Sequence, residues 1–371
     1  MKIAIDIRDA DGQRTGKGFF SYGLVSNILA QDRENQYVLY SDKIHNPFAE
    51  IMEGRENIEF ISLPQTGLKW HLAALKSLKS IRPDMYFAPT SFIIPAFAPK
   101  WLKTVIVVHD LVAFLFPRNH SQKAVFIERL TLQRALHRAA KVFVVSENTQ
   151  NDLIRLFRYP LSRTVEVPPA LNDLYRTEID EKAAEKVRTK FSLPAKFILA
   201  VGTLEPRKNF ANLIKSFVMI KRKYPDYKLV IVGKKGWKHH EIDRAIRLYQ
   251  LKSDVIFPGY MKDEELHLTY SMAEVFVFPS LYEGFGIPPL EAMASGCPVV
   301  ASNVASIPEV VGDAGLLIDP KNAVKISDAI VSLIEDTQVR NMLLERGIQR
   351  VKQFSWANSA SIAIEAFNSL K

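Results

Sequence analysis

The sequence predicts an α/β protein made of two Rossmann-like domains. Short apolar runs of strand length alternate along the chain with segments that have the 3.6-residue periodicity of helices. This alternation begins twice, at residues 2–8 (KIAIDIR) and again at residues 196–209 (KFILAVGTLEPRKN). Between the two series, residues 165–176 (VEVPPALNDLYR) combine adjacent prolines with a polar stretch, which is typical of a hinge. Alternating strands and helices favour a parallel sheet covered by helices, so each half predicts a doubly wound domain.

The composition is that of a soluble globular protein large enough for two domains. Of the 371 residues, 47% are hydrophobic and 24% are charged, and one core rarely serves a chain of this length. We find no apolar run of the roughly 18 to 20 residues needed to span a bilayer. The N-terminus becomes charged too soon for a signal peptide, and the single cysteine, Cys297, fits a reducing compartment. We therefore expect a cytoplasmic protein.

The net charge of +9 is concentrated in one region of the chain. Residues 61–141 hold twelve Lys and Arg against three Asp and Glu, and residues 69–81 within them predict an amphipathic helix with a basic face. This basic 61–141 region is either an ordinary solvated surface or a patch for an anionic membrane or a phosphate-bearing acceptor. We expect peripheral contact with the inner face of the membrane. No zinc-finger, RRM or helix-turn-helix signature supports a nucleic-acid partner.

A loop containing glycines follows the first predicted strand and opens a helix. Gly16 and Gly18 allow a ligand to approach the backbone closely. Ser21 stands where a dinucleotide fingerprint has its third glycine, so the loop favours a sugar or a phosphate over NAD. Asp9 and Asp11 form an Asp-x-Asp pair, which a polar turn explains better than a metal site does.

Three further strand ends carry polar residues that suit chemistry or capping. His109 ends a strand where α/β sheets bind ligands, and an apolar loop follows it, so we predict a functional rather than a structural histidine. Arg207 and Lys208 are adjacent at a strand–helix junction, which suits a diphosphate, although a solvated loop remains the alternative. Ser146 is predicted to cap the helix that follows it.

Residues 273–301 (AEVFVFPSLYEGFGIPPLEAMASGCPVVA) predict a strand, a loop, a short helix and a second strand. Gly284 and Gly286 let the loop turn sharply and bring N–H groups close to a ligand. The two prolines that follow suit the first turn of the helix, which places Glu291 in that turn. Glu283 precedes Glu291 with seven residues between them. Donors for phosphate beside acceptors for hydroxyls suit a sugar nucleotide.

These motifs together resemble those of retaining GT-B glycosyltransferases of family 4. The run EGFGIPPLEAMASGCPV resembles the family's E-x7-E signature, and GTLEPRKN resembles its phosphate-binding stretch. The glycine loop, the V-H-D at residues 108–110 and the final helix follow in the right order, so the resemblance covers essentially the whole chain. The residues of the two longer motifs are most similar to those of bacterial mannosyltransferases of surface-polysaccharide assembly that use GDP-mannose.

The resemblance implies a particular domain organisation. In a GT-B fold, two Rossmann-like domains face each other across a deep cleft. Residues 1–170 would form the acceptor-side domain and residues 171–353 the nucleotide-sugar domain. The last helix, within residues 354–371, would return to the N-terminal domain.

The resemblance also implies roles for individual residues. Arg207 and Lys208 would hold the donor diphosphate, Glu291 would bind the ribose hydroxyls, and Glu283 would lie near the donor sugar. His109 would lie over the transferred sugar and would be catalytic together with Glu283, Arg207 and Lys208. Many family members have an arginine where this chain has a threonine, so fewer cations are expected here. The full donor-binding set implied is Gly16, Gly18, Thr203, Arg207, Lys208, Tyr260, Glu283, Gly284, Phe285, Gly286, Ile287 and Glu291.

The implied activity is that of a retaining hexosyltransferase. It would move a hexose, mannose from GDP-mannose, to a glycan or lipid-linked acceptor in polysaccharide biosynthesis, without a cofactor or a metal. The alternatives are a UDP-sugar-dependent transferase of the same fold, a nucleotide-sugar epimerase, an NAD(P)-dependent oxidoreductase and a non-catalytic sugar-nucleotide-binding subunit. The missing third glycine argues against the oxidoreductase, and the intact Glu, Arg and Lys set argues against the non-catalytic subunit.

Overall fold

The structure, a computed structural model, describes residues 1–11, 16–116, 122–176, 178–236 and 240–371. Residues 12–15 of the predicted glycine loop and residues 117–121 of the basic 61–141 region lie outside the described residues. The strands are β1 Lys2–Asp6, β2 Gln36–Ser41, β3 Ile58–Ser62, β4 Met85–Ala88, β5 Lys103–Val108, β6 Lys141–Val144, β7 Thr164–Glu166, β8 Phe197–Val201, β9 Lys228–Val232, β10 Val255–Gly259, β11 Val275–Phe278, β12 Val299–Ser302 and β13 Leu316–Ile318.

Helices follow almost every strand. They are α1 Gly16–Gln31, α2 Ala49–Met52, α3 Gly67–Ile81, α4 Ile93–Phe97, α5 Val112–Leu115, α6 Gln122–Arg138, α7 Glu147–Phe157, α8 Glu181–Phe191, α9 Phe210–Lys223, α10 His240–Leu248, α11 Asp263–Met272, α12 Ile287–Ala294, α13 Ile307–Val311, α14 Ala323–Glu335, α15 Thr337–Val351 and α16 Trp356–Asn368. The Ser146 side chain accepts a hydrogen bond from Thr149 N and caps α7, as predicted.

The chain divides into two compact units, each with its own parallel sheet. The N-terminal domain comprises Met1–Ala170 and Ser355–Lys371, with the strand order β3-β2-β1-β4-β5-β6-β7. The C-terminal domain comprises Leu171–Phe354, with the order β10-β9-β8-β11-β12-β13. Side chains of the central strands are buried on both faces because helices cover both sides of each sheet. The predicted α/β class with two doubly wound domains is confirmed.

The C-terminal helix α16 packs against α1 within the N-terminal domain. The ring of Trp356 covers Gly23, where a β-carbon would lie 2.3 Å from the nearest ring atom. Phe20 meets the same ring edge-on, with centroids 5.7 Å apart. Gln31 Nε2 donates to the carbonyl of Ala357 over 3.0 Å. The sequence prediction places the second boundary between residues 353 and 354, whereas the compact units meet between Phe354 and Ser355.

Two predicted strands are shorter than expected. β1 ends at Asp6 because Arg8–Ala10 form a 3-10 turn, with Ala10 N donating to Ile7 O over 3.0 Å. Residues 310–320 (VVGDAGLLIDP) predict a further strand, but β13 is confined to Leu316–Ile318 because the first of these residues complete α13. The shortening of β1 leaves a polar loop at the carboxyl edge of the N-terminal sheet, where ligands bind in such folds.

The Gly23–Trp356 contact yields a stability prediction. In a helix interior, alanine is more stable than glycine by about 1 kcal/mol. A β-carbon at position 23, however, would overlap the indole ring, and such overpacking costs about 1–3 kcal/mol. We therefore expect Gly23→Ala to lower the melting temperature and to expose the C-terminal helix to limited proteolysis. Gly16→Ala is the matched control, because a β-carbon there has no atom within 4 Å. Equal stability of both variants would contradict the predicted packing.

Candidate donor site

An ion cluster at the carboxyl edge of the C-terminal sheet joins the loops that follow β8 and β11. Arg207 donates from an Nη to Glu283 Oε2 over 2.6 Å, and Lys208 Nζ donates to Glu283 Oε1 over 2.7 Å. Both cations are largely buried, and so is the carboxylate. Each carboxylate oxygen of Glu283 therefore accepts a hydrogen bond from one cation, so Arg207 and Lys208 both bind the same glutamate.

Backbone contacts hold the same two loops together. Arg207 also donates to Tyr282 O over 2.7 Å, and Leu281 N donates to Arg207 O over 2.8 Å. Asn209, in the left-handed region with a φ of 60°, reaches Pro279 O over 3.1 Å. A change in either loop would thus move the other.

The electrostatics of the cluster keep Glu283 ionised. Burial raises the pKa of this carboxyl, but the charges of Lys208 and Arg207 outweigh burial and lower it to about 2. A second carboxylate, Glu205, accepts from Arg207 over 2.6 Å. Two cations and two carboxylates thus form one nearly neutral cluster, in which every charge has a partner.

The loop that contains Glu283 leads directly into α12. Gly286 has a φ of 111°, which glycine adopts readily, and the helix begins at the next residue, Ile287. Ser306 Oγ lies 2.9 Å from Glu283 O and 2.6 Å from Phe285 O, which fixes this loop. The predicted position of Glu291 in the first turn is wrong, because the helix starts before the prolines and Glu291 is its fifth residue.

Glu291 faces α11 rather than the ion cluster. Tyr270, fully buried on α11, donates its hydroxyl hydrogen to Glu291 Oε2 over 2.9 Å. Burial raises the pKa of Glu291 to about 7, although the hydrogen bond from Tyr270 opposes this shift. The rings of Tyr175 and His267 meet edge-on, with centroids 5.6 Å apart, and Tyr175 meets the Tyr270 ring at 6.4 Å. Aromatic residues thus pack around Tyr270, which is the hydrogen-bond partner of the Glu291 carboxylate.

The remaining predicted donor residues of this domain lie along the same sheet edge. Thr203 follows β8 and is exposed, and Tyr260 follows β10 with 55% of its surface exposed. Lys234 Nζ lies 4.5 Å above the Tyr260 ring. Gly284, Phe285 and Gly286 are buried, and Ile287 is partly buried, so this loop offers backbone groups rather than side chains.

Among the predicted residues of the N-terminal domain, Gly16 and Gly18 begin the helix α1, whose Phe20 packs against His109. Gly16 and Gly18 occupy the first turn of α1, where Gly16 is exposed and Gly18 is buried. His109 packs edge-on against Phe20, with centroids 4.8 Å apart, and its Nε2 lies 2.7 Å from Pro89 O. Burial, followed by the charge of Lys17, lowers the pKa of His109 to about 4. The imidazole is therefore neutral near pH 7, and its Nε2 donates to the carbonyl.

Sequence reasoning did not identify three residues that shape the site. Glu205 stands in the predicted diphosphate loop, but its role as a partner of Arg207 depends on side-chain geometry. Tyr270 and Ser306 lie 21 and 23 residues away from the groups they contact. No local pattern in the sequence predicts such long-range contacts.

Asp9 and Asp11 are part of a turn, as predicted. Asp9 belongs to the 3-10 turn after β1. Asp11 Oδ2 lies 3.5 Å from Lys43 Nζ, and its Oδ1 lies 3.3 Å from His45 Nδ1. Among the described residues, no group of three or more His, Cys, Asp and Glu side chains is placed to hold a metal ion.

Comparisons with known proteins identify the family. The model "Glycosyl transferases group 1" matches residues 181–350, and the model "Glycosyltransferase Family 4" matches residues 33–173. Over 301 residues the chain is 35% identical to O-antigen chain mannosyltransferase B of Escherichia coli, which covers 79% of this chain and 76% of that protein. The chain belongs to the family 4 glycosyltransferases. The predicted family and the predicted hexosyltransferase class are confirmed.

Further relatives agree with this glycosyltransferase assignment. The chain is 30% identical over 310 residues to the serotype-specific mannosyltransferase WbdA of Escherichia coli, but spans only 38% of that protein. The structure is similar to that of HepE from Anabaena in complex with UDP and glucose, with a TM-score of 0.76, 20% identity and full coverage of both chains. The predicted GT-B fold class is confirmed. No helix in the described part of this glycosyltransferase has the length and apolar character needed to cross a membrane.

The raised pKa of Glu291 predicts a pH-dependent stability difference. Glutamate in the unfolded chain ionises near pH 4.5, whereas in the folded glycosyltransferase it ionises near pH 7. The folded state therefore holds an extra proton between these values, and stability falls as pH rises through this window. Glu291→Gln removes this penalty and keeps an acceptor for Tyr270. We expect the variant to gain about 1–3 kcal/mol over wild type at pH 8 and little at pH 4.5.

Thermal unfolding of both proteins from pH 4.5 to pH 8 measures this difference. Glu345→Gln, at an exposed position on α15 in the same domain, is the matched control and should follow wild type at every pH. A Glu291→Gln curve parallel to that of wild type would contradict the raised pKa.

Proposed function

We propose that this glycosyltransferase is a retaining, metal-independent enzyme of polysaccharide biosynthesis. It transfers mannose from GDP-mannose to a glycan or a lipid-linked acceptor. The observation that supports the proposal is the largely buried pair Arg207 and Lys208, which binds Glu283 at the carboxyl edge of the C-terminal sheet. The names of the E. coli relatives, O-antigen chain mannosyltransferase B and mannosyltransferase WbdA, support the sugar and the kind of product.

The cation pair suits the charge that develops when a nucleoside diphosphate leaves. As the bond from the sugar to the phosphate breaks, negative charge grows on the phosphate oxygens, and fixed cations stabilise it without reorganisation. Arg207 and Lys208 are already oriented and largely shielded from water. Backbone N–H groups of Gly286 and Ile287 at the start of α12 would add to this stabilisation. Pro288 and Pro289 have no N–H groups, so the N–H groups of Gly286 and Ile287 are the donors nearest the N-terminus of α12.

For the proposed retaining transfer, we propose front-face attack. Double displacement needs a carboxylate nucleophile, and both oxygens of Glu283 already accept hydrogen bonds from cations. The acceptor hydroxyl would then lose its proton to the leaving phosphate. His109, which is neutral near pH 7, would contribute a hydrogen bond to a sugar hydroxyl rather than a positive charge.

Glu291 is proposed to accept hydrogen bonds from the ribose hydroxyls. Its carboxylate is partly buried, is supported by Tyr270 and lies eight positions beyond Glu283. A UDP-sugar remains the competing donor, because HepE, which has a similar fold, is described in complex with UDP and glucose.

A donor screen tests the proposed function directly. We expect GDP-mannose to raise the melting temperature more than UDP-glucose, UDP-N-acetylglucosamine or ADP-glucose does, because a ligand that binds the folded state stabilises it. With a mannan acceptor, turnover should persist in EDTA and should yield an α-linked product. Greater stabilisation by a UDP-sugar would contradict GDP-mannose as the donor and would indicate a UDP-sugar instead. Loss of turnover in EDTA would contradict metal independence.

Substitutions in the cluster test the assigned roles. Lys208→Ala and Arg207→Ala should each lower kcat/KM by about 100-fold or more, because each removes charge stabilisation of the leaving group. Lys252→Ala, at an exposed position of the same domain, is the control and should leave the activity unchanged. Thermal unfolding shows whether each variant folds. Folded variants of Arg207 and Lys208 with unchanged turnover would contradict the proposed clamp.

We also propose that the basic 61–141 region contacts anionic membranes. On α3, Leu68 and Leu72 are 73% and 60% exposed and lie beside Lys69 and Lys76 on the same helix. Phe126 on α6 is 68% exposed. Apolar side chains among lysines suit the surface of a bilayer that contains acidic lipids.

Vesicle sedimentation tests this contact. The protein should bind vesicles that contain phosphatidylglycerol and release them at high salt. The double change Lys69→Glu and Lys76→Glu should weaken binding by about tenfold or more, since each basic residue near the surface contributes about 1 kcal/mol. The matched control is the double change Lys182→Glu and Lys186→Glu, which reverses the charge of two exposed lysines in the C-terminal domain. No binding at low salt, or equal loss in the control, would contradict the proposal.

A further inference from the structure

Tyr175 has a hydroxyl group that is buried without a hydrogen-bond partner. The residue lies in a 3-10 turn, Asp173–Arg176, near the start of the C-terminal domain. It is only 2% exposed, and its hydroxyl bonds to none of the residues that the structure describes. A buried polar group without a hydrogen bond destabilises a folded protein, and such groups are rare. The hydroxyl of Tyr175 therefore needs an explanation other than stability.

The surroundings of Tyr175 are those of the Glu291 carboxylate. The ring of Tyr175 meets those of His267 and Tyr270 edge-on, with centroids 5.6 and 6.4 Å apart. Tyr270 in turn donates to Glu291 Oε2 over 2.9 Å. Burial, then the charge of Glu291 and then that of Asp263, raises the pKa of Tyr175. The hydroxyl thus lies near Glu291 and near the start of α11, which follows the carboxyl end of β10.

One oxygen of Glu291 also has room for a further donor. Oε2 accepts from Tyr270, whereas Oε1 accepts from no group in the described part of the chain. The Tyr175 hydroxyl does not bond directly to either oxygen. A tyrosine hydroxyl donates and a carboxylate oxygen accepts, so a ligand group that does both can bond to the two at once. A ribose hydroxyl is such a group.

We propose that Tyr175 is a specificity residue of the donor site, and that its hydroxyl donates to a ribose hydroxyl which itself donates to Glu291. This inference rests on the proposed glycosyl transfer, because it adds a second contact to the proposed ribose site. It assigns that contact to the segment between the two series of strands and helices, outside the E-x7-E motif. The bond forms only when a nucleotide is bound, so it contributes to ligand affinity and not to the stability of the free protein.

This arrangement selects against a nucleotide that lacks the hydroxyl. When a ribonucleotide binds, Tyr175 and Glu291 both gain a partner. When the deoxy analogue binds, the buried Tyr175 hydroxyl stays unpaired. A site built around a ligand hydroxyl rejects the analogue without it more strongly than an apolar pocket rejects an extra methylene group. The unpaired hydroxyl thus destabilises the free protein but increases its selectivity for a ribonucleotide.

The first experiment is the change Tyr175→Phe, which removes the hydroxyl and keeps the ring. In thermal unfolding without nucleotide, we expect a higher melting temperature than that of wild type, because no hydrogen bond is lost. In calorimetric titration with GDP and with UDP at pH 8, affinity for the nucleotide that binds should fall about tenfold, the effect of one lost hydrogen bond. Unchanged affinity would overturn the inference. A lower melting temperature would do so too, since it would show that the hydroxyl already has a partner, such as a buried water, in the free protein.

Tyr159→Phe is the matched control. The Tyr159 hydroxyl is likewise buried and bonds to none of the described residues, but it belongs to the N-terminal domain. The control should also raise the melting temperature, and it should leave nucleotide affinity unchanged. An equal loss of affinity in both variants would contradict a specific role for Tyr175.

Deoxynucleotides show whether a ribose hydroxyl is the partner of Tyr175. The 2′-deoxy and 3′-deoxy forms of GDP and UDP are titrated against wild type and Tyr175→Phe. For the base that binds, at least one deoxy form should bind wild type about tenfold more weakly than the ribonucleotide does. Tyr175→Phe should reduce that difference by about threefold or more, because the two changes remove the same bond. A purely structural role would weaken ribonucleotide and deoxynucleotide binding equally, and that result would overturn the inference.

Nucleotide binding by wild type separates this inference from the proposed function. If wild type binds neither GDP nor UDP, the proposed glycosyl transfer is wrong and the inference is wrong with it. If wild type binds one of them with a preference for ribose that Tyr175→Phe leaves unchanged, only the role of Tyr175 is overturned.

Discussion

The C-terminal domain is organised around one carboxylate that two cations share. Glu283 is buried between Arg207 and Lys208, and removing any one of the three would leave a buried charge without compensation, at a cost of about 3–5 kcal/mol. A buried ion cluster contributes little to net stability compared with apolar packing. Its effect is positional, because it fixes the loop after β8 to the loop after β11 and thereby sets where α12 begins.

The same arrangement explains how two cations can be kept ready for a diphosphate. Burial, and to a smaller extent the charge of Arg207, lowers the pKa of Lys208, whereas the ionised Glu283 opposes this lowering. The cluster is nearly neutral once Glu205 is included, so a diphosphate bound as proposed would share the cations with carboxylates already in place. Its affinity therefore depends on geometry and on backbone donors near Gly286 as much as on net charge.

Local sequence patterns were sufficient for the fold and for the position of the site, but not for its internal contacts. The strand before Arg207 and the strand before Glu283 were predictable because each is an apolar run that ends in a polar loop. The start of α12 was misplaced because the φ of Gly286 is a property of the folded loop, and the prolines alone suggested a later first turn. The Tyr270–Glu291 hydrogen bond was not predictable, since it joins two helices through side-chain directions that no periodicity specifies.

The two glutamates of the E-x7-E motif differ in protonation because their surroundings differ. Both are shielded from water, which by itself raises the pKa of each. Two adjacent cations reverse this effect at Glu283 and lower its pKa to about 2, whereas a single hydroxyl donor leaves that of Glu291 at about 7. Glu283 is therefore ionised at every pH at which the protein is expected to work, and only Glu291 changes charge near neutrality. Any pH dependence of donor binding from this motif must then arise at the proposed ribose contact, while the proposed phosphate clamp keeps its charge.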